Sequence, residues 1–184
     1  LYETLVTYKG GDASTPVPAI ASKWKVNAGA TEFTFTINPK AKFADGKKVT
    51  SADVVFSLNR LKNIKGNPSS LMAGITVSAP NKSTVVLSTE KATPQVLAIV
   101  TSPALGILNS KVVKANGGTD ADDASTTDKA LEFLKGKSVG SGPYVLKSFN
   151  LTTEVVLEKN AKYWGAEKAG YDKIIVRNVP VNVQ

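Results

Sequence analysis

Residues 42–61, KFADGKKVTSADVVFSLNRL, constrain this chain more than any other stretch, because they set a chain reversal and a helix start side by side. Asp45-Gly46 is a turn signal, since Gly tolerates the positive φ of a tight reversal. Phe43 is the apolar anchor that closes the strand-like run ahead of it. Thr50 offers an N-cap hydroxyl, and Asp53 lies three residues on, a capping box with Asp where Glu or Gln is usual. An acid at that position also meets the positive end of the helix dipole. Val54, Val55, Leu58 and Leu61 follow at helical spacing and share one face. The stretch therefore predicts strand, turn and capped helix. Taken residue by residue, such caps and turns read first as scaffold.

With 184 residues the chain has the length of one domain, or of one lobe of a larger protein. That length buries roughly 70% of the unfolded surface. A hydrophobic content of 42% supports a packed core and argues against disorder. No apolar run approaches the ~20 residues of a membrane-spanning helix. The first residue is Leu1 and not Met, and no signal peptide is visible, so a processed or trimmed segment is expected.

The net charge of +8 rests almost wholly on Lys, with Arg only at Arg60 and Arg177. Nucleic-acid readers depend on Arg for bidentate contacts to bases and phosphates. The lysines here are scattered and mixed with acids, without a basic stripe carrying aromatics. A solvated surface is expected, and no nucleic-acid partner. The chain has no Cys and no His. Disulfides, thiol chemistry, Cys or His zinc sites and histidine base catalysis are therefore closed to this segment. The compartment stays open, because a domain of this size folds outside the cytoplasm without disulfides too.

Residues 1–8, LYETLVTY, suit a strand or a short helix with Leu1, Leu5 and Val6 as core candidates, and 9–12 form a Gly-rich turn. Residues 16–24, PVPAIASKW, start extended because of their prolines and carry Ile20, Ala21 and Trp24 inward. Residues 31–37, TEFTFTI, alternate strictly, with Phe33, Phe35 and Ile37 on one side of a half-buried strand. The helix that starts at Thr50 ends near 62–66, where Asn63 and Gly66 are stop signals. A loop or short helix at 67–74 precedes a hairpin of strands 75–79 and 83–89 around Pro80-Asn81-Lys82. Thr93-Pro94 starts a short helix, apolar around most of its circumference and expected to be buried, which Thr101-Ser102-Pro103 breaks.

Residues 110–116 read as a helix closed by Gly117-Gly118. The run 119–128 collects four Asp residues. It lacks the Gly and the closing Glu of an EF-hand, so a solvated acidic loop is expected and not a calcium site. Residues 127–134 make a short amphipathic helix. GSGPY at 140–144 places a tight turn directly before a strand at 144–149, which has hairpin spacing to a strand at 152–159. A phosphate loop there would need a Lys-Ser or Lys-Thr pair and a following helix. NAKYWG at 160–165 is a polar turn in which Tyr163 and Trp164 read as packing. Residues 172–179 form a last strand of mixed pattern, and the sequence stops at Gln184 without a closing helix or cap. Many strands with a few short helices give a mixed α/β (α+β) lobe with hairpins.

Five of these motifs, in order, resemble the family 5 extracellular solute-binding proteins, the peptide, dipeptide and nickel receptors of ABC importers. LYETLVTY at 1–8 resembles the family's Y-E-x-L opening, and PVPAIASKW at 16–24 its P-x-L-A-x-x-W segment. Residues 33–60 resemble its most distinctive run, an extended stretch leading to F-x-D-G and then T-A-x-D-V-x-F-S. GSGPY resembles G-T-G-P-Y with Ser141 where Thr is usual, and LEKNAKYWG at 157–165 resembles L-x-R-N-x-x-Y-W with Lys159 where Arg is usual.

The resemblance implies the first lobe of a two-lobed, periplasmic-binding-protein-like (type II) fold, incomplete, with 1–184 as a single partial lobe and the second lobe absent. It implies the substrate-binding component of an ABC importer, a monomer outside the cytoplasmic membrane, periplasmic or at the cell surface, with a lipid anchor as an option in the full-length protein. A solute, foremost a peptide, would be captured between two lobes by hinge closure and delivered to a membrane permease. No catalysis, cofactor or metal is implied. In the family, the loop after the long helix and the loop after the next helix approach the ligand. These fall on Ser69, Ser70, Leu71 and Met72, and on Thr101, Ser102 and Pro103. Each residue reads equally well as ordinary loop or packing. Neither loop holds the Arg or Trp with which relatives take cationic or metal-chelate ligands. Two other classes stay in view: a sensory or scaffold module, and a serine hydrolase using Ser141 with a Lys base. The second lacks a G-x-S-x-G elbow, and a strand follows the serine.

Overall fold

The computed structural model describes residues 1–167 and 169–179, and its strands fall into three antiparallel sheets. β1 (Val6–Lys9) and β2 (Asp12–Pro18) form a hairpin. Pro16 and Pro18 suit β2 because that strand pairs on one side only. β3 (Ala21–Val26), β4 (Glu32–Ile37), β5 (Ile75–Asn81) and β6 (Thr84–Thr89) build a four-stranded sheet in the order β3-β4-β6-β5. β7 (Tyr144–Phe149), β8 (Glu154–Lys159) and β9 (Lys173–Arg177) make the third. The helices are α1 (Ser51–Ile64), α2 (Val96–Ile99), α3 (Ser110–Ala115), α4 (Ala124–Thr127) and α5 (Leu131–Gly136). The mixed α/β class is as expected. Alternation alone does not say that the strands divide into three sheets. Residues 180–184, where the sequence shows no closing element, lie outside the described residues.

The alternation of β4 delivers the core. Phe33 and Phe35 are fully buried and lie opposite Leu87 and Val85 of β6, themselves fully buried. Val54 and Leu58 of α1, Phe43, Met72, Ile75 and Leu105 join the same cluster. Phe56 lies two residues from Val54 and Leu58, and so on the opposite side of α1. There it meets Val113, Ala130 and Val139 in a second, smaller cluster. Helix α1 is thus clamped between two apolar bodies, which explains why half of its 14 residues are buried and on more than one side.

The start of α1 follows the capping pattern. Asp53 Oδ2 accepts from the Thr50 backbone N–H (2.9 Å) and from Thr50 Oγ1 (2.7 Å). Its other oxygen reaches across the chain: Oδ1 accepts from the Ser110 N–H (3.0 Å) and from Ser110 Oγ (2.6 Å). One carboxylate, 6% exposed, therefore fixes the N-termini of α1 and α3 together. The end of α1 falls within the expected 62–66 stretch, but the left-handed cap is on neither of the two residues that signalled it. Lys65 takes the left-handed C-cap conformation at φ 60°, and neither Asn63 nor Gly66 does. Asn63 stays in the helix, where its amide donates to the Asp120 carbonyl at 2.9 Å.

In the acidic stretch Asp122 and Asp123 are exposed, as a solvated loop requires, but Asp128 departs from that reading. The Asp128 side chain is 4% exposed and takes a bidentate pair from Arg60, Nε to Oδ2 at 2.7 Å and Nη2 to Oδ1 at 2.8 Å. The helix expected over 127–134 is split for the same reason. Asp128 is extended, ending α4, and its Oδ1 accepts from the Ala130 N–H at 3.1 Å before α5 begins. Helix α2 is also less buried than expected, with Ala98 exposed.

GSGPY owes its glycines to close approach. A Cβ at Gly140 would overlap the Leu1 carbonyl oxygen, and one at Gly142 would lie 2.8 Å from the Leu1 carbonyl carbon. The Gly142 N–H donates to that same carbonyl at 3.0 Å. β9 keeps the mixed pattern read from its sequence, with Ile174 half-buried and Ile175 and Val176 exposed.

Candidate functional site

Two concave surfaces meet at Tyr2 and Pro103. Their geometry starts at the end of α2. The N–H groups of Thr101 and Ser102 donate to the carbonyls of Ala98 (3.2 Å) and Ile99 (3.0 Å), closing that helix. Pro103, with no N–H and a fixed φ, then opens a single 3-10 turn, Pro103–Leu105, which the buried Leu105 pins to the core. The chain next runs beside residue 3, where the Ile107 N–H donates to the Glu3 carbonyl at 2.9 Å. It then meets α1: the Leu108 N–H donates to Ser57 Oγ at 2.9 Å. The capped helix therefore sets the position of this loop.

The first surface encloses about 280 Å³ between Tyr2, the Arg60–Leu61 side of α1, Pro68 and Pro103. The second, about 210 Å³, is walled by Tyr2, Glu3, Thr4, Thr7, Ala19, Thr101 and Pro103. Burial pushes the Tyr2 hydroxyl above its usual range, outweighing the Val139 N–H and the charge of Arg60, so the phenol stays neutral. Arg60 is the charged group of the first surface, and its guanidinium is committed to Asp128. Apolar walls, a few neutral hydroxyls and the Glu3 carboxylate are what remains for a visitor.

The structure places the seven sequence candidates unevenly. Pro103 lines both surfaces and Thr101 lines the second. Ser102 sits between them, half-buried, and among the described residues its hydroxyl makes no intramolecular hydrogen bond. Ser69, Ser70, Leu71 and Met72 line neither surface, although Gly66 and Pro68 of the same turn line the first. Ser69 is half-buried and Leu71 packs partly against the main core. Ser70 Oγ donates to the Asn67 carbonyl at 3.3 Å. Met72 is wholly buried, so it supports the turn from within. Tyr2, Ser57 and Arg60 were not singled out by sequence. The aromatic beside Glu3 in the opening motif is the only hint of Tyr2.

Other motifs fall into structural places. The Tyr163 hydroxyl and the Trp164 Nε1–H donate to the two Glu3 carboxylate oxygens at 2.9 and 2.8 Å. Burial, then the Glu3 charge, raises the Tyr163 phenol well above its ordinary value, which keeps it a donor. Ser141 is fully buried and its Oγ has no hydrogen-bond partner, so no base lies within reach of it. Among the described residues no cluster of acidic side chains is placed to hold a metal ion, and no helix is long and apolar enough to cross a membrane.

A family model described as bacterial extracellular solute-binding proteins, family 5 Middle, matches residues 15–184. The probable D,D-dipeptide-binding periplasmic protein DdpA of Escherichia coli K12 is 33% identical over 180 residues, covering 96% of this chain and 33% of its own length. The periplasmic murein peptide-binding protein MppA of Escherichia coli K12 is 30% identical, covering 99% of this chain and 34% of its own length. Among solved structures, the PBP/SBP MoaA of A. tumefaciens R10, in complex with mannopinic acid, superposes with a TM-score of 0.81 at 27% identity, over 97% of this chain and 34% of that one. The substrate-binding domain of an oligopeptide ABC transporter from Bacillus anthracis superposes with a TM-score of 0.77 at 25% identity, over 97% of this chain and 35% of that one. The chain spans about a third of the length of these relatives.

Proposed function

Since the chain belongs to the bacterial extracellular solute-binding proteins of family 5, we propose that it forms one wall of the solute site in the substrate-binding component of an ABC importer. The solute is a peptide, and residues 1–184 form part of the first of two lobes. The supporting observation is the pair of adjoining, mostly apolar surfaces that share Tyr2 and Pro103, with the unbonded Ser102 hydroxyl in the chain between Thr101 and Pro103 and not itself in either lining. Peptides need roomy apolar subsites and a few backbone-directed hydrogen bonds, and these surfaces offer both. The D,D-dipeptide and murein peptide named for two relatives favour the same solute class.

In this reading Thr101, Ser102 and Pro103 meet the solute, Ser69, Ser70 and Leu71 form the rim, and Met72 holds the rim in place. The second wall comes from the rest of the protein. A solute that touches both walls stabilises the closed arrangement by its differential affinity for it. The protein works as a monomer outside the cytoplasmic membrane, hands its cargo to a permease, and makes or breaks no bond.

Calorimetric titration of the full-length protein with peptide pools, with product formation followed by mass spectrometry, tests this reading. Saturable binding without turnover is the expected result. Ser102→Ala should weaken binding about fivefold, the worth of one hydrogen bond of ~1 kcal/mol. Peptide cleavage that Ser141→Ala abolishes would replace the receptor with a hydrolase.

A further inference from the structure

We propose that the cleft between the 42–48 turn and the Tyr163-Trp164 turn is a binding site for a multivalent phosphate anion. The cleft measures about 520 Å³ and is lined by Lys40, Lys42, Lys48 and Lys162, with Tyr163 and Trp164 on one side. It shares no residue with the surfaces at Tyr2 and Pro103, and it stands apart from solute capture.

The lysines that look scattered in sequence are gathered here at a cost. Lys42 and Lys48 are antiparallel bridge partners, so two ammonium groups leave the backbone directly opposite one another. Like charges in that position oppose folding. Lys162 leans over the same turn, its Nζ donating to the Asp45 carbonyl at 3.2 Å.

The neighbouring acids are engaged elsewhere and form no ion pair with them. Asp45 Oδ1 accepts from the Lys47 N–H (2.9 Å) and Oδ2 from Asn109 Nδ2 (3.1 Å). Both Glu3 oxygens are taken by Tyr163 and Trp164. Among the described residues, none of the four lysines forms an ion pair with a carboxylate. A concave wall carrying one sign of charge focuses its field into the cleft.

An anion with at least two charges would bridge the opposed ammonium groups. Phosphate suits the donors: each Lys binds it as a point charge, and a diphosphate or phosphate monoester carries more than one negative charge over several oxygens, enough to meet two ammonium groups at once. The phosphate could be that of a free diphosphate or of a lipid headgroup.

Titrating the full-length protein with inorganic pyrophosphate, and in parallel with vesicles of phosphatidylglycerol against phosphatidylcholine, separates the two sources. The variant Lys42→Gln/Lys48→Gln is compared with Lys82→Gln/Lys91→Gln, which removes equal charge from exposed positions outside the cleft. The expected result is binding to pyrophosphate, or to anionic vesicles alone, that the cleft variant weakens at least about tenfold and the control by no more than about twofold. Thermal melts confirm that both variants fold. Binding to neither probe, equal loss in both variants, or no loss in the cleft variant would overturn the assignment.

Discussion

Arg60→Ala should destabilise the protein by about 3–5 kcal/mol, because it strands a buried carboxylate. Asp128 is 4% exposed, and both of its oxygens meet the guanidinium at 2.7–2.8 Å. The Thr119 and Ala130 N–H groups supply two further bonds, at 3.0 and 3.1 Å. Removing Arg60 takes away charge and fork together and leaves the buried acid with two backbone N–H donors alone. Asp128→Ala strands the cation instead and should cost a similar amount. The double replacement Arg60→Met/Asp128→Leu should recover only part of the loss, since a well-packed apolar pair often matches a buried ion pair but here leaves the Thr119 and Ala130 N–H groups without their acceptor. Urea titrations of the three variants at neutral pH measure these differences.

The same pair sets an acid dependence. Burial alone would raise the Asp128 carboxyl, but the Arg60 hydrogen bond, the Thr119 N–H, the Arg60 charge and the Ala130 N–H hold it below its ordinary value. A folded-state value below the unfolded one means the protons bind more readily after unfolding. The stabilisation is complete above the unfolded value of about 3.9 and is lost as pH falls from there through the folded value. Asp128→Asn should therefore flatten the fall in stability below about pH 4 while lowering stability at neutral pH.

Asp53→Ala should cost about 3 kcal/mol, the sum of a lost N-cap contact and a buried backbone N–H left without its acceptor. Four donors converge on this carboxylate: the N–H and hydroxyl of Thr50, and the N–H and hydroxyl of Ser110. Asp53→Asn should lose nearly as much, since its amide would turn donors toward donors. Ser110→Ala, which leaves the backbone contact in place, should cost only about 1 kcal/mol. Hydrogen exchange supplies the spatial signature. Asp53→Ala should speed exchange at the start of α3 and at Leu108, whose N–H hangs on Ser57 of the same helix. Loss of protection confined to α1 would leave Asp53 as a simple cap.

Local chemistry was legible in this sequence, and distant partners were not. The alternation of 31–37, the turn at Asp45-Gly46 and the Thr50–Asp53 cap each depend on neighbours a few residues away. Each is present in the fold. Asp53 was read for one of its two roles, because Ser110 lies 57 residues on. Asp128 was read as solvated, because its partner Arg60 lies 68 residues away and nothing local marks either as buried. The helix ends within the expected 62–66 stretch, but its left-handed cap falls on Lys65, and a Lys in that conformation has no composition signal beside Gly66.

The surfaces at Tyr2 and Pro103, proposed to meet the solute, show the same limit. Thr101 and Pro103 were singled out, and the fold brings them against Tyr2. Ser69, Ser70, Leu71 and Met72 lie one turn away from the lining that Gly66 and Pro68 provide. Tyr2 enters through the contact of the first segment with residues 106–107, where a Cβ on Gly106 would lie 2.7 Å from the Tyr2 Cβ. No spacing rule reports a contact of that kind.

The decisive comparison is the affinity for one peptide, measured by calorimetry on the full-length protein and on residues 1–184 alone. A wall that needs an opposing wall should bind the peptide at least about a hundredfold more weakly by itself, since half of the enclosing surface is missing. Sub-micromolar affinity for the peptide on residues 1–184 would contradict a site shared between two lobes.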